Sequence, residues 1–443
     1  MTGPTIRASW SGVRFATGCG SGPRCSPRST PRISRSEPAR LACRCWTILG
    51  RVDAYRGPNI WTRHGQAAYP MLQPMHDSPS RVGVLLVDVG TPASPRTGDV
   101  RRFLREFLDD RRMLDMPTWA RKLLVYGVIL PFRPRKSAAA YRKIWLPDGS
   151  PLSVYGNRLA AAVGERLGER FVVRFGVTSG GPSIDDVLEE LHTSDVGHIV
   201  VVPLLPPHAS TGRGIALERV YRSAGARWRA PSLTVVPPFY DAQGYIDALA
   251  RVASPVLEPF AADHLLVSFH GVPERDVTRS VGASPRCLQR QDCCDAIDAE
   301  NRGCYRAQCF ATARAFAGAV GYRDRYTVSF QSRLGRAKWI DPDTTVVMPQ
   351  LAKQGVRRLA VACPNFLLDC LETLEEIGIR GKQQWDECGG EGFVLIPCLN
   401  ADPSWADVIA QWAREHARVA EMTGSGVSAA SVGSAPSAPR SIG

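Results

Sequence analysis

The strongest constraint on the fold is an alternation of two kinds of segment between about residue 80 and residue 420. Short apolar runs rich in β-branched residues alternate with longer segments whose apolar residues recur at helical spacing. Such alternation is typical of parallel sheets covered by helices, and it occurs here twice in succession. The sequence therefore predicts two similar α/β domains, residues 80–240 and 241–422. The predicted strands are residues 82–89, 171–176, 198–203, 232–237, 264–268, 326–331, 358–362 and 393–396, and the predicted helices are residues 97–108, 158–167, 184–191, 309–319, 344–354 and 370–377.

The two ends of the chain lack this pattern. Residues 1–77 are rich in Arg, Ser, Pro and Gly, and residues 423–443 are rich in Ser, Ala, Gly and Pro. A composition of this kind without an apolar period predicts disorder at both ends. The N-terminal segment is interpreted as an extension ahead of a true start at Met71 or Met75, and an organellar transit peptide is the alternative.

The formal net charge of +13 is concentrated in this N-terminal segment. Residues 1–74 contain eleven Arg, no Lys and two acidic residues, so the rest of the chain is only mildly basic. We therefore expect no nucleic-acid partner. No apolar stretch approaches the roughly 18 residues that a membrane span needs, and the N-terminus lacks the apolar centre of a secretory signal. The sequence predicts a cytoplasmic protein.

Two predicted strands of the second half lead into loops with polar side chains. His270 follows strand 264–268, and strand 358–362 leads into a loop and a helix that carries Glu372 and Glu376 four residues apart on one face. Ligands of parallel α/β folds gather at the carboxyl ends of the strands. Taken alone, His270 could equally be a structural histidine, and the carboxylates could form a solvated helix face that begins near Asp369.

These two loops, with residues 330–335 and Trp339 between them, closely resemble the ferrochelatase family. The resemblance covers about three quarters of the chain, in order, and the other matching segments are residues 89–92, 136–144, 149–152, 174–176, 203–206 and 305–309. It implies a chelatase-like fold of two Rossmann-like domains. It also implies an enzyme, a lyase of haem biosynthesis that inserts ferrous iron into protoporphyrin IX.

Porphyrin metallation requires the residue types found in these loops. Two pyrrole protons must leave, and histidine is suited to accept a proton near neutral pH. Carboxylates with an imidazole bind a divalent metal without holding it too tightly. The resemblance implies His270 and Glu372 as catalytic residues, and His270, Glu372 and Glu376 as ligands of the substrate iron. It further implies porphyrin contacts from apolar faces and from groups that suit propionates, namely Val89, Tyr305, Trp339, Phe366, Arg133, Ser150 and Arg174.

Some positions depart from the family pattern. Residues 205–209 read Leu-Pro-Pro-His-Ala where many relatives have Tyr-Pro-Gln-Tyr-Ser, and Cys370 stands where relatives have a histidine. Relatives that use coproporphyrin place an aromatic ligand at the position of Val89, so Val89 favours protoporphyrin. Coproporphyrin III as the substrate, another divalent metal such as cobalt or nickel, and a non-catalytic tetrapyrrole-binding role remain open. Peripheral contact with a membrane is also left open, and the oligomeric state is undetermined.

An insertion at residues 284–305 carries four cysteines, namely Cys287, Cys293, Cys294 and Cys304. A reduced surface loop and a four-thiolate zinc site are alternatives, although adjacent Cys293 and Cys294 fit the usual zinc spacing poorly. Several ferrochelatases carry a two-iron, two-sulfur cluster, so the resemblance favours that cofactor on these four thiols. Cys309 is the reserve ligand, and Fe²⁺ is expected as a substrate.

Overall fold

The structure is a computed structural model that describes residues 81–282, 287–290, 292–333, 335 and 337–424. The prediction for residues 1–77, and almost all of the prediction for residues 423–443, lie outside these residues. The described residues belong to one compact unit. No helix among them is both long enough and apolar enough to cross a membrane.

Two parallel four-stranded sheets with the same strand order form the frame of this unit. The first consists of β1 (Arg81–Thr91), β2 (Phe171–Gly180), β3 (Val196–Pro203) and β4 (Ser232–Val235), in the order β2-β1-β3-β4. The second consists of β5 (His264–His270), β6 (Tyr326–Gln331), β7 (Arg358–Ala362) and β8 (Gly392–Leu395), in the order β6-β5-β7-β8. The predicted fold class, two similar parallel α/β halves, is confirmed.

Helices cover the faces of both sheets. Strand β1 is buried on both faces because Val84 and Leu86 pack into one apolar cluster while Leu85 and Val87 pack into another. This explains why the strand reads as a continuous apolar run rather than an alternating one. The helices are α1 (Thr97–Leu108), α2 (Thr118–Leu124), α3 (Leu130–Ile144), α4 (Pro151–Leu167), α5 (Ile184–Thr193), α6 (Ile215–Gly225), α7 (Gln243–Phe260), α8 (Glu274–Ser280), α9 (Tyr305–Ala319), α10 (Thr344–Lys353), α11 (Lys382–Glu387) and α12 (Pro403–Gly424).

Among the described residues three segments are π-helical, and one of them corrects the sequence prediction. They are Val125–Ile129, Ser210–Gly214 and Leu371–Gly381. The predicted α-helix at residues 370–377 is in fact the start of the third segment, an eleven-residue π-helix that begins after Cys370. Helix α9 also starts four residues earlier than predicted, because the Cys304 sulfur accepts the backbone N–H of Ala307 and caps the helix there.

The last helix connects the two halves. Although α12 follows the second sheet along the chain, it packs against α4, β3 and β4 of the first half. Its buried Trp405 contacts Phe239 and Tyr245, which also belong to the apolar cluster shared by both sheets. The two halves are therefore held together through a common core.

Candidate active site

One pocket receives side chains from both halves. Seven of the residues implied by the family resemblance line it: Val89, Arg133, Ser150, His270, Tyr305, Phe366 and Glu372. Glu376 does not line the pocket, and Arg174 and Trp339 do not line it either. The pocket lies at the carboxyl ends of β1 and β5, where the loops of a parallel sheet leave room for ligands.

His270 is the last residue of β5, and the backbone fixes its proton. Its Nδ1 lies 2.6 Å from the carbonyl oxygen of Gly271. Because a carbonyl can only accept a hydrogen bond, Nδ1 carries the proton and Nε2 keeps its lone pair. The ring also lies 6.2 Å from the ring of Phe366, centroid to centroid. His270 is therefore arranged to accept a proton at Nε2.

The π-helix carries Glu372 and Glu376. Gln331 donates from Nε2 to the backbone carbonyl of Glu372 at 3.0 Å, which fixes the start of this helix against β6. The carboxylate of Glu376 accepts the backbone N–H of Ser332 at 2.9 Å and the Ser332 hydroxyl at 2.6 Å. Burial raises the pKa of Glu376, and the charge of Glu372 raises it further. The charge of Glu372 therefore acts on the carboxylate of Glu376.

Both carboxylate oxygens of Asp369 are held by hydrogen bonds to neighbouring side chains. Its Oδ1 accepts the hydroxyl of Thr373 at 3.0 Å and its Oδ2 accepts the side-chain amide of Asn400 at 2.7 Å. The side chain is buried. Asp369 thus stabilises the loop ahead of the π-helix rather than adding a carboxylate to the pocket.

Arg174 and Trp339 are placed away from the pocket for different reasons. Arg174 lies in the middle of β2, opposite Leu85 of β1, and its exposed guanidinium donates to Glu190 at 2.8 Å. A residue there cannot reach the carboxyl end of the sheet. Trp339 packs behind the His270 loop: a Cβ atom on Gly271 would lie 3.2 Å from its ring and 2.9 Å from the Gln331 carbonyl oxygen. Glycine at position 271 is needed for this close approach.

The structure adds pocket residues that sequence reasoning missed. Asp88 is buried, and its Oδ1 accepts the N–H of Val89 at 2.6 Å. Burial raises the pKa of Asp88 to about 7, and the charge of Glu372 contributes. The signal was present in the sequence, because Asp88 is a single carboxylate within an apolar strand. Tyr141, Arg213 and Asn365 also line the pocket.

Arg213 is one of these additions and is almost fully buried. Its Nη2 donates to the carbonyl of Val236, whereas Nη1 has no hydrogen-bond partner within the described ranges. Burial lowers the pKa of its guanidinium to about 10. The pocket wall of the first half therefore carries a buried positive charge, opposite in sign to Asp88.

The four cysteines of the insertion lie around the start of α9. The sulfurs of Cys293 and Cys294 are 3.7 Å apart, and Arg306 donates to the Cys294 sulfur at 3.0 Å. A hydrogen bond from Cys294 lowers the pKa of Cys304. As these side chains stand, no group of three or more His, Cys, Asp or Glu residues in the described part of the chain is arranged to hold a metal ion.

Comparisons of the sequence with known proteins identify the family of this chain. The sequence profile of the ferrochelatase family matches residues 81–417. A ferrochelatase from Coxiella burnetii (strain CbuK_Q154) is 44% identical over 337 residues, 76% of this chain and 94% of the relative. One from Pseudomonas entomophila (strain L48) is 46% identical over 329 residues, 74% and 97% of the two chains. Among solved structures, the match to SirB from Bacillus subtilis covers 77% of this chain and 98% of the SirB chain, with a TM-score of 0.44 and 14% sequence identity. The chain therefore belongs to the ferrochelatase family.

Proposed function

We propose that this ferrochelatase inserts Fe²⁺ into protoporphyrin IX, with His270 as the base and Glu372 as the carboxylate on the metal side. The observation that carries the proposal is the meeting of these two side chains in one pocket, although they follow different strands and lie about 100 residues apart in the sequence. A base and a metal-attracting carboxylate in one pocket are what metallation needs.

The proton transfer follows from the tautomer of His270. Nδ1 donates to the Gly271 carbonyl, so Nε2 accepts a pyrrole proton as the N–H bond breaks and an imidazolium forms. The Gly271 carbonyl then stabilises that imidazolium, because it still accepts from Nδ1. No change in the position of the ring is needed.

The metal side is supplied by Glu372, with Glu376 behind it. Ser332 donates to both oxygens of Glu376, so the orientation of this carboxylate is fixed. Burial and the neighbouring charge of Glu372 raise the pKa of Glu376, so a divalent cation near the two carboxylates is favoured, and a site that is not fully closed allows the cation to leave for the ring. Asp88 adds a third carboxyl group that titrates near neutral pH.

An insertion assay under anaerobic conditions tests this proposal. We expect the full chain to metallate protoporphyrin with Fe²⁺, and His270→Ala to lose about 100-fold in rate while still binding porphyrin. His264→Ala is the matched control, because His264 begins the same strand and bonds Thr327 at 2.9 Å far from the pocket. Near-parental turnover of His270→Ala would exclude it as the base. Faster metallation of coproporphyrin III would overturn the choice of substrate that Val89 favours.

We also propose that the insertion binds a two-iron, two-sulfur cluster through Cys287, Cys293, Cys294 and Cys304. Two sulfurs bound at about 2.3 Å to one tetrahedral metal lie about 3.8 Å apart, close to the 3.7 Å between Cys293 and Cys294. Hydrogen bonds from N–H groups to sulfur are typical of such clusters, and the Cys304 sulfur accepts one from Ala307 at 3.5 Å. The cluster would supply a redox-active group beside α9.

Finally, we propose that the α2–α3 surface contacts an anionic membrane. Five large apolar side chains are exposed there, namely Trp119, Leu123, Tyr126, Val128 and Phe132. Lys122, Arg133, Arg135 and Lys136 are exposed around them, and no acidic residue occurs between Thr118 and Ala140. Apolar and aromatic side chains surrounded by cations are the composition of interfacial helices on anionic bilayers. Because Arg133 also lines the pocket, an apolar porphyrin would enter from the bilayer.

A further inference from the structure

A closed ring of hydrogen bonds surrounds the main chain of His270. The backbone N–H of His270 donates to Oδ1 of Asn365 at 3.2 Å, and the hydroxyl of Tyr305 donates to the His270 carbonyl at 2.6 Å. Nδ2 of Asn365 donates to the same Tyr305 hydroxyl at 3.3 Å. Each of these three bonds joins a donor to an acceptor, so the orientation of the Asn365 amide and that of the Tyr305 hydroxyl are both determined.

This ring replaces sheet pairing that ends too early. Strand β5 pairs with β6 as far as His270 and Gln331, but its pairing with β7 ends at Val267 and Ala362. The N–H and C=O of His270 therefore have no backbone partner on the β7 side. Unpaired backbone groups in a buried place are costly, and two side chains satisfy them here. The last residue of β5, His270, thus depends on Asn365 and Tyr305 for the position of its backbone.

We infer that Asn365 and Tyr305 are positioning residues that hold His270 in the geometry needed to accept the pyrrole proton. The inference rests on the proposed function of His270. Both side chains act through the main chain of His270, on the element that carries the base. Small displacements of a catalytic group cost much of its rate, because proton transfer requires donor and acceptor within hydrogen-bond reach.

Tyr305 has two separable features. Tyr305 lines the pocket, where the family resemblance implies a porphyrin contact, and its hydroxyl donates to the His270 carbonyl. Tyr305→Phe keeps the ring and removes only the hydrogen bonds. If Tyr305 served only as a porphyrin contact, removing its ring would change KM for porphyrin. If Tyr305 positions His270, removing its hydroxyl should change kcat.

Initial-rate measurements on the full chain with protoporphyrin and Fe²⁺ test the inference. We expect Tyr305→Phe and Asn365→Ala each to lower kcat about tenfold, with KM for porphyrin unchanged. Asn365→Asp keeps the acceptor for the His270 N–H, so it should lose less. The double variant should be no slower than the slower single variant, because the ring is broken only once. The inference would be overturned if the two losses of kcat multiplied in the double variant, or if a single variant raised KM for porphyrin and left kcat unchanged.

Two further measurements separate positioning from general damage. Tyr322→Phe is the matched control, because the buried Tyr322 hydroxyl donates to the Ala262 carbonyl at a distance of 3.2 Å, and neither residue lines the pocket. The kcat of this variant should stay at the parental value. Hydrogen exchange of the amides at residues 268–272, without substrate, should accelerate in Tyr305→Phe and not in Tyr322→Phe. Equal exchange in the two would contradict the ring. If the parent protein fails to metallate, the proposed function is wrong while the exchange result still decides the ring.

Discussion

At the scale of single residues, Glu372 gives the sharpest test of the metal side. Its backbone is held by Gln331, so Glu372→Gln keeps the local structure and removes only the charge. We expect the rate to fall about 100-fold at low iron concentration, because the carboxylate no longer attracts the divalent cation. Initial rates against iron concentration measure this. Glu387→Gln on the exposed face of α11 serves as the control, and parental rates for Glu372→Gln would reduce Glu372 to an ordinary helix residue.

Asp88 gives a prediction for stability against pH. Its pKa is about 7 in the folded protein and 3.8 ordinarily, so the unfolded chain loses this proton at a lower pH than the folded chain. The folded state is therefore penalised increasingly between pH 4 and pH 7, and constantly above that. Asp88→Asn should raise the free energy of unfolding by up to about 4 kcal/mol at pH 8 and leave it unchanged below pH 4.

Denaturant titrations over this pH range measure the difference, and Asp263 provides a control of opposite sign. The Asp263 carboxylate accepts the backbone N–H groups of Arg357 and Arg358 at 2.9 and 2.8 Å, which lower its pKa. Asp263→Asn should therefore reduce stability at neutral pH, and the loss should shrink as the pH falls through the pKa of Asp263. An Asp88→Asn variant that is less stable than the parent at pH 8 would contradict the raised pKa of Asp88.

Two of the residues that the sequence singled out lie at or just after the carboxyl end of a strand. His270 ends β5 and Phe366 follows β7, and the alternation of segments is enough to locate strand ends. Arg174 lies outside the pocket because a match to a family segment does not show whether the residue stands in the middle of its strand or at the carboxyl end. Asp88 was missed although a single carboxylate within an apolar strand was a signal, and Asn365 was missed because its role arises from contact with a neighbouring element, which one sequence does not show.

At the scale of elements, the cysteine insertion is the most testable segment. Protein carrying the proposed cluster should be reddish-brown, with two iron and two sulfide per chain. Single Cys→Ser changes at Cys287, Cys293, Cys294 and Cys304 should bleach it. The Cys304 change should also lower kcat through loss of the cluster rather than of the helix cap, because serine can cap α9 as cysteine does, and Cys304 directly precedes Tyr305, whose hydroxyl holds His270.

The other cysteines are the controls for this prediction. Cys363, Cys370, Cys388 and Cys398 lie outside the insertion, so replacing them should leave the colour intact. A colourless protein with one zinc per chain would favour the four-thiolate zinc alternative. Bleaching by Cys309→Ser but not by Cys287→Ser would keep the cluster and change its ligands.

The π-helix shows where sequence patterns stop predicting an element. Residues four apart share a face in an α-helix, so the Glu372 and Glu376 pattern predicted one. A π-helix, with its i to i+5 hydrogen bonds, also brings such residues close together, and the pattern cannot separate the two. The interactions that accompany the π-helix here are tertiary: Ser332 holds Glu376, and Gln331 holds the Glu372 backbone. Its existence as a helix could be predicted, whereas its type could not.

At the scale of the whole molecule, the repeated alternation predicted two parallel sheets, and both are present. The sequence did not predict that α12 would return to the first half. A helix with an apolar face can pack on any exposed apolar surface, and only the assembled core selects α4 and β3. The pocket depends on this arrangement, because its walls come from both halves and require them to stay in contact.

Membrane contact is the last prediction, and it concerns the outer surface of the molecule. The α2–α3 surface combines exposed apolar side chains with unopposed cations, so binding should need both apolar insertion and anionic lipid. The full chain should sediment with vesicles of phosphatidylglycerol and phosphatidylethanolamine, less with vesicles of neutral lipid, and less at high salt because the cations are screened. Leu123→Glu and Phe132→Glu should each reduce this binding at least tenfold, since each places a charge in the bilayer interface.

Trp228→Glu is the matched control: Trp228 is fully exposed on the α6–β4 loop, outside the α2–α3 surface, and its replacement should leave binding unchanged. Equal losses in all three variants, or a chain that dimerises in solution through this surface and ignores vesicles, would rule out the membrane as its partner.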